Sequence, residues 1–393
     1  MIALVLAVAW FGVIAMAVCS YAALERASRL VSVARRPDLE LPRREWGGEP
    51  DRPPASYAAL RALASAARLV RPRTRVAESS QRLRWVSRLV CLLATASALS
   101  LVPFASTWGS SAEGRRLVAV DLEYGLGLLV FLTLLSGLAQ AASGLAERNV
   151  WAGLGVVRVE GHSLVGVALL LLVLAPLALE TGSLRLHDML LVQQESYSPL
   201  AFLVRLFAQL DLNLELMAAI RLPNWFAFSQ PLTAILIVPT LALLFQRDLL
   251  GDAMAGTSGI SGFGIDSDPS DLYWARLEAR LSMVLAAALF VALFLGAGGL
   301  PFFDGPGIAL RLVPLFGEFV PRLLLVGLEV AVFAGKLIGV LFLVTLLRRS
   351  TGSARADQSL RVMTRRLIPL ASANLLLLSA LSLLEGSIGE ALS

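Results

Sequence analysis

The sequence predicts an all-α polytopic membrane protein with about eight transmembrane helices and one amphipathic interfacial helix. Its composition is 57% hydrophobic and 16% charged with a mean hydropathy of +0.73, which is far from that of a soluble domain. The apolar residues fall in runs long enough to cross a bilayer, and the basic residues cluster beside those runs. We interpret residues 1–393 as a single integral membrane domain.

The first apolar run holds 24 residues without a charge, enough for one crossing at about 1.5 Å per residue. Arginines follow it and no basic leader precedes it, so an uncleaved span is predicted rather than a signal peptide. The predicted spans are 1–24, 89–108, 124–146, 161–179, 226–245, 281–303, 323–347 and 368–384.

Two further segments lie between these runs. Residues 59–70 combine small and apolar residues with Arg61 and Arg68 seven positions apart, which favours an interfacial amphipathic helix. A short soluble helix is the alternative. Residues 181–225 are mixed in polarity, and we predict that they pack as one or two helices outside the bilayer core.

Loop charge predicts the orientation. Loop 25–88 has 15 Arg against 7 acidic residues (+8), and loop 348–366 has 6 Arg against 1 acidic residue (+5). The positive-inside rule places both loops in the cytoplasm, and loop 246–280 then lies on the same side. Both termini are predicted on the outer side of an inner (cytoplasmic) membrane. The same rule explains the basic clusters, so no nucleic-acid partner is predicted.

The seventh run carries Glu329 and Lys336 in its middle, and Lys336 is the only lysine in the chain. Their seven-residue spacing puts them on one helix face roughly 10 Å apart, too far to pair directly. Ionisable groups in a span usually face a partner or a wet cavity, so both are candidate stations of a proton or ion path. Structural pairing with a neighbouring helix is the alternative.

Arg158, Glu160 and His162 lie within five residues at the start of the fourth run. Such a cluster at a membrane boundary can pass protons or hold a partner subunit, or it can be a solvated helix end. The two cysteines and two histidines provide no disulfide framework and no metal site. No catalytic residue is predicted.

Motifs spread over most of the chain resemble the subunit 1 family of respiratory complex I. That family includes the equivalent membrane subunits of formate hydrogenlyase and of other energy-converting [NiFe] hydrogenases. The matching positions are Lys336, Arg348, Arg355, Asp357, Gln358, Pro369 and Asn374 without a gap, then Asn149, Gly155 and Arg158, and then Glu25 and Arg26 after the first span.

The resemblance implies a non-catalytic membrane-anchoring subunit of an oxidoreductase complex, NADH:quinone oxidoreductase-like or hydrogenase-like. It would link soluble redox subunits to ion-translocating membrane subunits in the lipid membrane. The implied ion-path residues are Glu329, Lys336, Glu25 and Glu160. The implied interface residues are Arg26, Arg158, Arg348, Arg355 and Asp357.

Several family positions differ in this chain. The family's Gly-Pro-Asn-Arg motif is absent from the first loop, Ser65 replaces an acid of the interfacial helix, and Val167 replaces a membrane glutamate. The acidic run after the family's fifth span is likewise replaced, by residues 247–259. Because such residues line the family's quinone chamber, their loss argues against quinone contact without excluding it, and no cofactor bound by this chain is expected.

Two other function classes remain open. A self-contained secondary transporter would use Glu329 and Lys336 as a coupling pair, although no internal repeat is visible. A non-conducting membrane scaffold would fit the lost carboxylates. The sequence does not identify the electron donor or acceptor, or whether H⁺ or Na⁺ is moved.

Overall fold

The computed structural model describes residues 12–23, 78–104, 107–108, 115–116, 120–146, 150–193, 196–197, 222–245, 269–299, 319–351 and 356–392. Long helices dominate these ranges, and each strand is only two residues long. Because an apolar span must satisfy its backbone hydrogen bonds internally, its sequence folds as a helix. The predicted all-α membrane class is confirmed.

The helices and strands have the following bounds. The helices are α1 Gly12–Ala23, α2 Glu78–Ser100, α3 Gly125–Leu145, α4 Val150–Thr181, α5 Leu186–Val192, α6 Phe226–Ser229, α7 Pro231–Leu244, α8 Pro269–Phe294, α9 Phe319–Thr351, α10 Ala356–Val362 and α11 Ile368–Leu392. A π-helical turn, Met363–Leu367, joins α10 to α11. Strand β1 (Thr107–Trp108) pairs antiparallel with β2 (Arg115–Arg116), and β3 (Ser196–Tyr197) pairs antiparallel with β4 (Leu222–Pro223).

Helices long and apolar enough to cross a membrane occur at six places in the described ranges. Five lie within α2, α3, α4, α8 and α9, and the sixth, Gln358–Leu383, runs from α10 through the π-helical turn into α11. The shorter apolar helices α1 and α7 coincide with the first and fifth predicted spans. The chain is therefore a multi-pass membrane protein, and each predicted span has a helix at its position.

Several predicted boundaries are wrong. Helix α2 ends at Ser100, and Trp108 lies in β1 rather than in the second span. Helix α4 begins at Val150, so the fourth helix starts well before residue 161. Helix α8 ends at Phe294 instead of 303, because Gly296 and Ala297 have φ of 64° and 45°, which no helix accommodates.

The stretches predicted as loops are partly helical. Helix α8 begins at Pro269, inside loop 246–280, and the basic stretch 348–366 contains the end of α9, helix α10 and part of the π-helical turn. Helix α5 lies in segment 181–225, and Leu186, Met189 and Leu190 are buried in the main apolar core. The predicted interfacial helix 59–70 lies outside the described residues.

Two helices organise the bundle. Helix α4 packs against α3, α7 and α11, whereas α8 packs against α2, α7 and α9. The spanning part of α8 is 78% buried, while the last span, Gln358–Leu383, is 17% buried. Helix α8 therefore lies inside the bundle, and α11 presents most of its surface outward.

Small and polar residues bring the helices together. In the α2–α3 contact, the Cys91 Sγ lies 3.2 Å from the Ser136 Oγ, and the Thr95 Oγ1 lies 3.1 Å from that same oxygen. Between α11 and α7, the Asn374 Nδ2 donates to the Thr233 Oγ1 at 2.9 Å. Such contacts hold membrane helices together because apolar burial against lipid contributes little.

The α3–α4 contact provides a packing test. A Cβ added at Gly137 would lie 1.9 Å from the Oγ and 2.9 Å from the Cβ of buried Ser163. We expect Gly137→Val to lower the free energy of unfolding by about 1–3 kcal/mol through overpacking, measured by thermal denaturation in lipid nanodiscs.

The matched control is Gly127→Val in the same helix, where an added Cβ meets no atom within 4 Å. Both variants carry the same change in helix propensity, so their difference isolates the α3–α4 contact. Equal destabilisation of the two variants would contradict this close packing.

Candidate functional site

The Lys336 ammonium group lies against the end of the neighbouring helix α8. Its Nζ donates hydrogen bonds to the backbone carbonyl oxygens of Leu295 at 2.6 Å, Ala297 at 2.9 Å and Gly299 at 2.6 Å. It also lies 4.4 Å from the ring centroid of Trp225. An ammonium has three N–H donors, so each of them has a carbonyl acceptor.

The carbonyls converge because the chain reverses directly after α8. Gly296 and Ala297 both have positive φ, and the Ala297 N–H donates to the Val291 carbonyl at 3.0 Å. Glycine is favoured in this conformation at helix ends, whereas it is strained for alanine. The turn 295–299 therefore directs backbone oxygens toward α9 at a point where α8 has lost its own hydrogen-bond partners.

Trp225 explains why glycine is required at 296. A Cβ at Gly296 would lie 2.5 Å from the Trp225 Nε1, so the indole ring rests directly on the backbone. The ring also stacks on Phe228 with centroids 5.9 Å apart. Trp225 thus contacts the turn 295–299 and the Lys336 ammonium at once.

Gln193 holds the turn from another side. Its Oε1 accepts from the Gly296 N–H at 3.0 Å, and its Nε2 donates to the Ala292 carbonyl at 3.1 Å. The Asn224 Nδ2 donates to the Val192 carbonyl at 3.0 Å, which ties the segment before α6 to the end of α5. Backbone groups at the end of α8 that lack a partner within the helix are thus satisfied by side chains from other elements, namely Gln193 and Lys336.

Glu329 borders the same turn. Its side chain is buried, and a Cβ at Gly298 would lie 2.5 Å from the Glu329 backbone oxygen. The two charged residues predicted in α9 therefore both lie along the turn 295–299. The acceptors of Lys336 are backbone oxygens, which a pattern of side chains does not reveal.

A second polar cluster lies near the start of α8. Glu278 is only 4% exposed, and it accepts a hydrogen bond from the Ser282 hydroxyl at 3.2 Å. A small cleft beside it has about 20 Å³ of space for water, roughly enough for one molecule. The lining residues are Arg88, Cys91, Gln140, Ser143, Trp274, Ala275 and Glu278.

Sequence reasoning missed Glu278 because it falls in the stretch predicted as loop 246–280. The signal available was its position within a helical pattern that continues into the apolar run. Glu278 and Phe294 are 16 residues apart, so the cleft and the turn 295–299 are separated by about 24 Å along α8.

The predicted boundary cluster lies within α4 instead of preceding it. Glu160 and His162 are half-buried, Arg158 is exposed, and the Oε2 of Glu160 is shielded without a hydrogen-bond partner in the described part of the chain. Val156 and Val159 of this region pack on Ala141 near the end of α3. The cluster therefore lies within the first half of α4, and its role as a proton-passing group, a partner contact or a solvated helix end stays a prediction.

The remaining predicted residues are placed less fully. Arg348 lies in the last turns of α9 and Asp357 in α10, but only their backbone is described. Glu25, Arg26 and Arg355 lie outside the described residues. Across the described ranges, His, Cys, Asp and Glu do not gather in any group of three or more that could hold a metal ion.

The chain matches a protein-family model. The family model described as NADH dehydrogenase matches residues 53–379, which is most of the chain and includes the turn 295–299 and the cleft. A search of the curated proteins returned no match.

The close approach of Gly298 to the backbone of Glu329 can be tested by adding one methyl group at residue 298. Gly298→Ala would press a Cβ against a backbone oxygen that cannot rotate away, so we expect a loss of roughly 1–3 kcal/mol in stability by thermal denaturation in nanodiscs. Gly335→Ala on α9 is the control because nothing lies within 4 Å of its added Cβ. An undiminished stability of the Gly298 variant would mean that the turn does not contact α9 as described.

Proposed function

Because this chain belongs to the NADH dehydrogenase family, the subunit 1 family of complex I, we propose that it anchors the soluble redox subunits of such a complex in the membrane. It would also link those subunits to the ion-translocating membrane subunits. The chain is a multi-pass membrane protein and a membrane subunit of an NADH dehydrogenase-like complex.

An ion path through this chain is a further part of the proposal, and the observation that carries it is the placement of two buried acids in and beside α8. Glu278 is buried near its start, and Glu329 of α9 is buried beside the turn at its end. Ionisable groups inside spans are costly and mark ion or proton pathways by default. We propose that these two carboxylates belong to an ion path. Glu160, in the first half of α4, is proposed as a further member of that path.

Docking would occur on the arginine-rich segments. Loops 25–88 and 348–366 carry the positive charge expected of cytoplasmic segments of an inner-membrane protein, with both termini on the outer side. Arg26, Arg158, Arg348, Arg355 and Asp357 are proposed to contact partner subunits.

Quinone would be a substrate of the assembly, not a cofactor of this chain. The cleft beside Glu278 has room for about one water molecule, so a quinone head group does not fit there. Segments 24–77 and 246–268, which the family resemblance associates with the quinone chamber, lie outside the described residues. We therefore propose no quinone step through the cleft.

One observation favours a second candidate, a non-conducting scaffold. All three donors of Lys336 are engaged by backbone carbonyls, which cannot carry a proton onward. In a scaffold, Glu278 and Glu329 would be structural as well.

Affinity purification of the tagged full chain from its native membrane tests the assembly. We expect iron–sulfur subunits and further polytopic membrane subunits to co-purify, and the neighbouring genes to encode them. Recovery of the chain alone under mild detergent, with a tagged unrelated membrane protein as the background control, would contradict the proposal.

Charge removal tests the path. In the intact complex we expect Glu278→Gln and Glu329→Gln each to lower ion translocation by roughly 10²-fold, since a positioned proton-transfer group typically contributes that much. Translocation would be measured in sealed vesicles alongside electron-transfer rate. Glu123→Gln, at an exposed side chain paired with Arg185, is the control. Unchanged translocation in both buried variants would favour the scaffold.

A further inference from the structure

The contacts of the Lys336 ammonium have the character of a cation-binding site. Three carbonyl oxygens of one turn lie 2.6–2.9 Å from Nζ, and the face of Trp225 is 4.4 Å away. We infer that the turn 295–299 and the Trp225 ring form a binding site for a monovalent cation, and that the Lys336 ammonium is its built-in occupant.

The chemistry of these groups selects a cation. The C-terminal end of a helix carries roughly half a negative charge, and this end belongs to the long helix α8. Backbone carbonyls replace the hydration shell of monovalent ions in membrane proteins, and an indole face attracts ammonium ions. Neutral oxygens favour single charge, because Ca²⁺ takes six to eight oxygens that include carboxylates.

The site is held in shape by groups other than Lys336. Gln193 bonds both the Gly296 N–H and the Ala292 carbonyl, and the Gly299 N–H donates to the Gly296 carbonyl at 2.8 Å. The Trp225 ring sits against Gly296. We therefore expect that shortening the Lys336 side chain leaves the three carbonyl oxygens in place. The space that the ammonium group filled would then be open to another cation.

Lys336 is accordingly a positioning residue. It ties the middle of α9 to the end of α8 as a fixed charge, in the place where a diffusible ion would otherwise satisfy the carbonyls. This role goes beyond the proposed function, and it does not depend on whether the complex translocates ions.

Chemical complementation provides the first test. The Lys336→Ala substitution removes three carbons and the ammonium nitrogen, which are the heavy atoms of n-propylammonium. That ion is therefore the first probe, and potassium is the second. Both are added to the full chain in lipid nanodiscs. We expect the variant to have a lowered Tm, and n-propylammonium to raise it by roughly 2–4 °C or more through binding to the folded state.

The controls separate binding from general solvent effects. Lys336→Met fills the same space without a charge, so n-propylammonium is expected to leave its Tm unchanged, and neutral 1-propanol is expected to leave both variants unchanged. A variant recovered only when the ammonium ion is present during purification would support the inference. A folded Lys336→Ala chain that responds to neither cation would overturn it.

The unmodified chain provides a second test that does not depend on folding of the variant. Since Lys336 is the only lysine, ¹⁵N-lysine labelling gives one side-chain ammonium signal. We expect its protons to exchange slowly with water, and Trp225→Leu to shift that signal and accelerate exchange. Exchange as fast as that of a free lysine would overturn the inference whether or not the complex proves to translocate ions.

Discussion

The hydrogen bonds from the Lys336 ammonium join helix α9 to the turn that follows α8. A helix that stops inside an apolar bundle leaves backbone carbonyls without partners, and each unsatisfied group in such a setting costs several kcal/mol. Lys336 donates to three carbonyls of the turn 295–299 that follows the helix, and Gln193 donates to the carbonyl of Ala292 in the last turn of the helix. The turn itself is held by Gln193 and by the Trp225 ring, and it places Gly298 against the backbone of Glu329.

The rest of the bundle permits this arrangement by packing closely around α8. Its inner segment is rich in alanine, including Ala286, Ala287 and Ala288, which are all buried. Small side chains let neighbouring helices approach, so dispersion contacts and a few polar pairs replace the hydrophobic effect that is unavailable in lipid. The α2–α3 pair uses a thiol and two hydroxyls for the same purpose. Polar atoms in this fold are thus placed mainly where helices meet.

The sequence predicts the helices of this structure better than their ends or their polar contacts. Hydropathy locates apolar runs, so it finds the helices, the class and the charged centre of α9. Hydropathy does not locate helix ends. One cause is local backbone conformation, as at Gly296. The other is that helices extend beyond their apolar runs in amphipathic segments, such as those before residues 161 and 281. Glu278 lies in the second of these segments, and hydropathy therefore does not identify it. The partners of Lys336 could not be inferred, because backbone carbonyls carry no sequence identity and become acceptors only after the turn forms.

The left-handed turn after α8 also has a consequence for biosynthesis. Helix α8 precedes α9 in the chain, so its end and the turn 295–299 leave the ribosome before Lys336 does. In that interval the carbonyls need water or the insertion machinery as partners, which disfavours release of α8 into lipid on its own. Helices α8 and α9 are therefore expected to leave the insertion site as a pair, with the lysine completing the turn as they do.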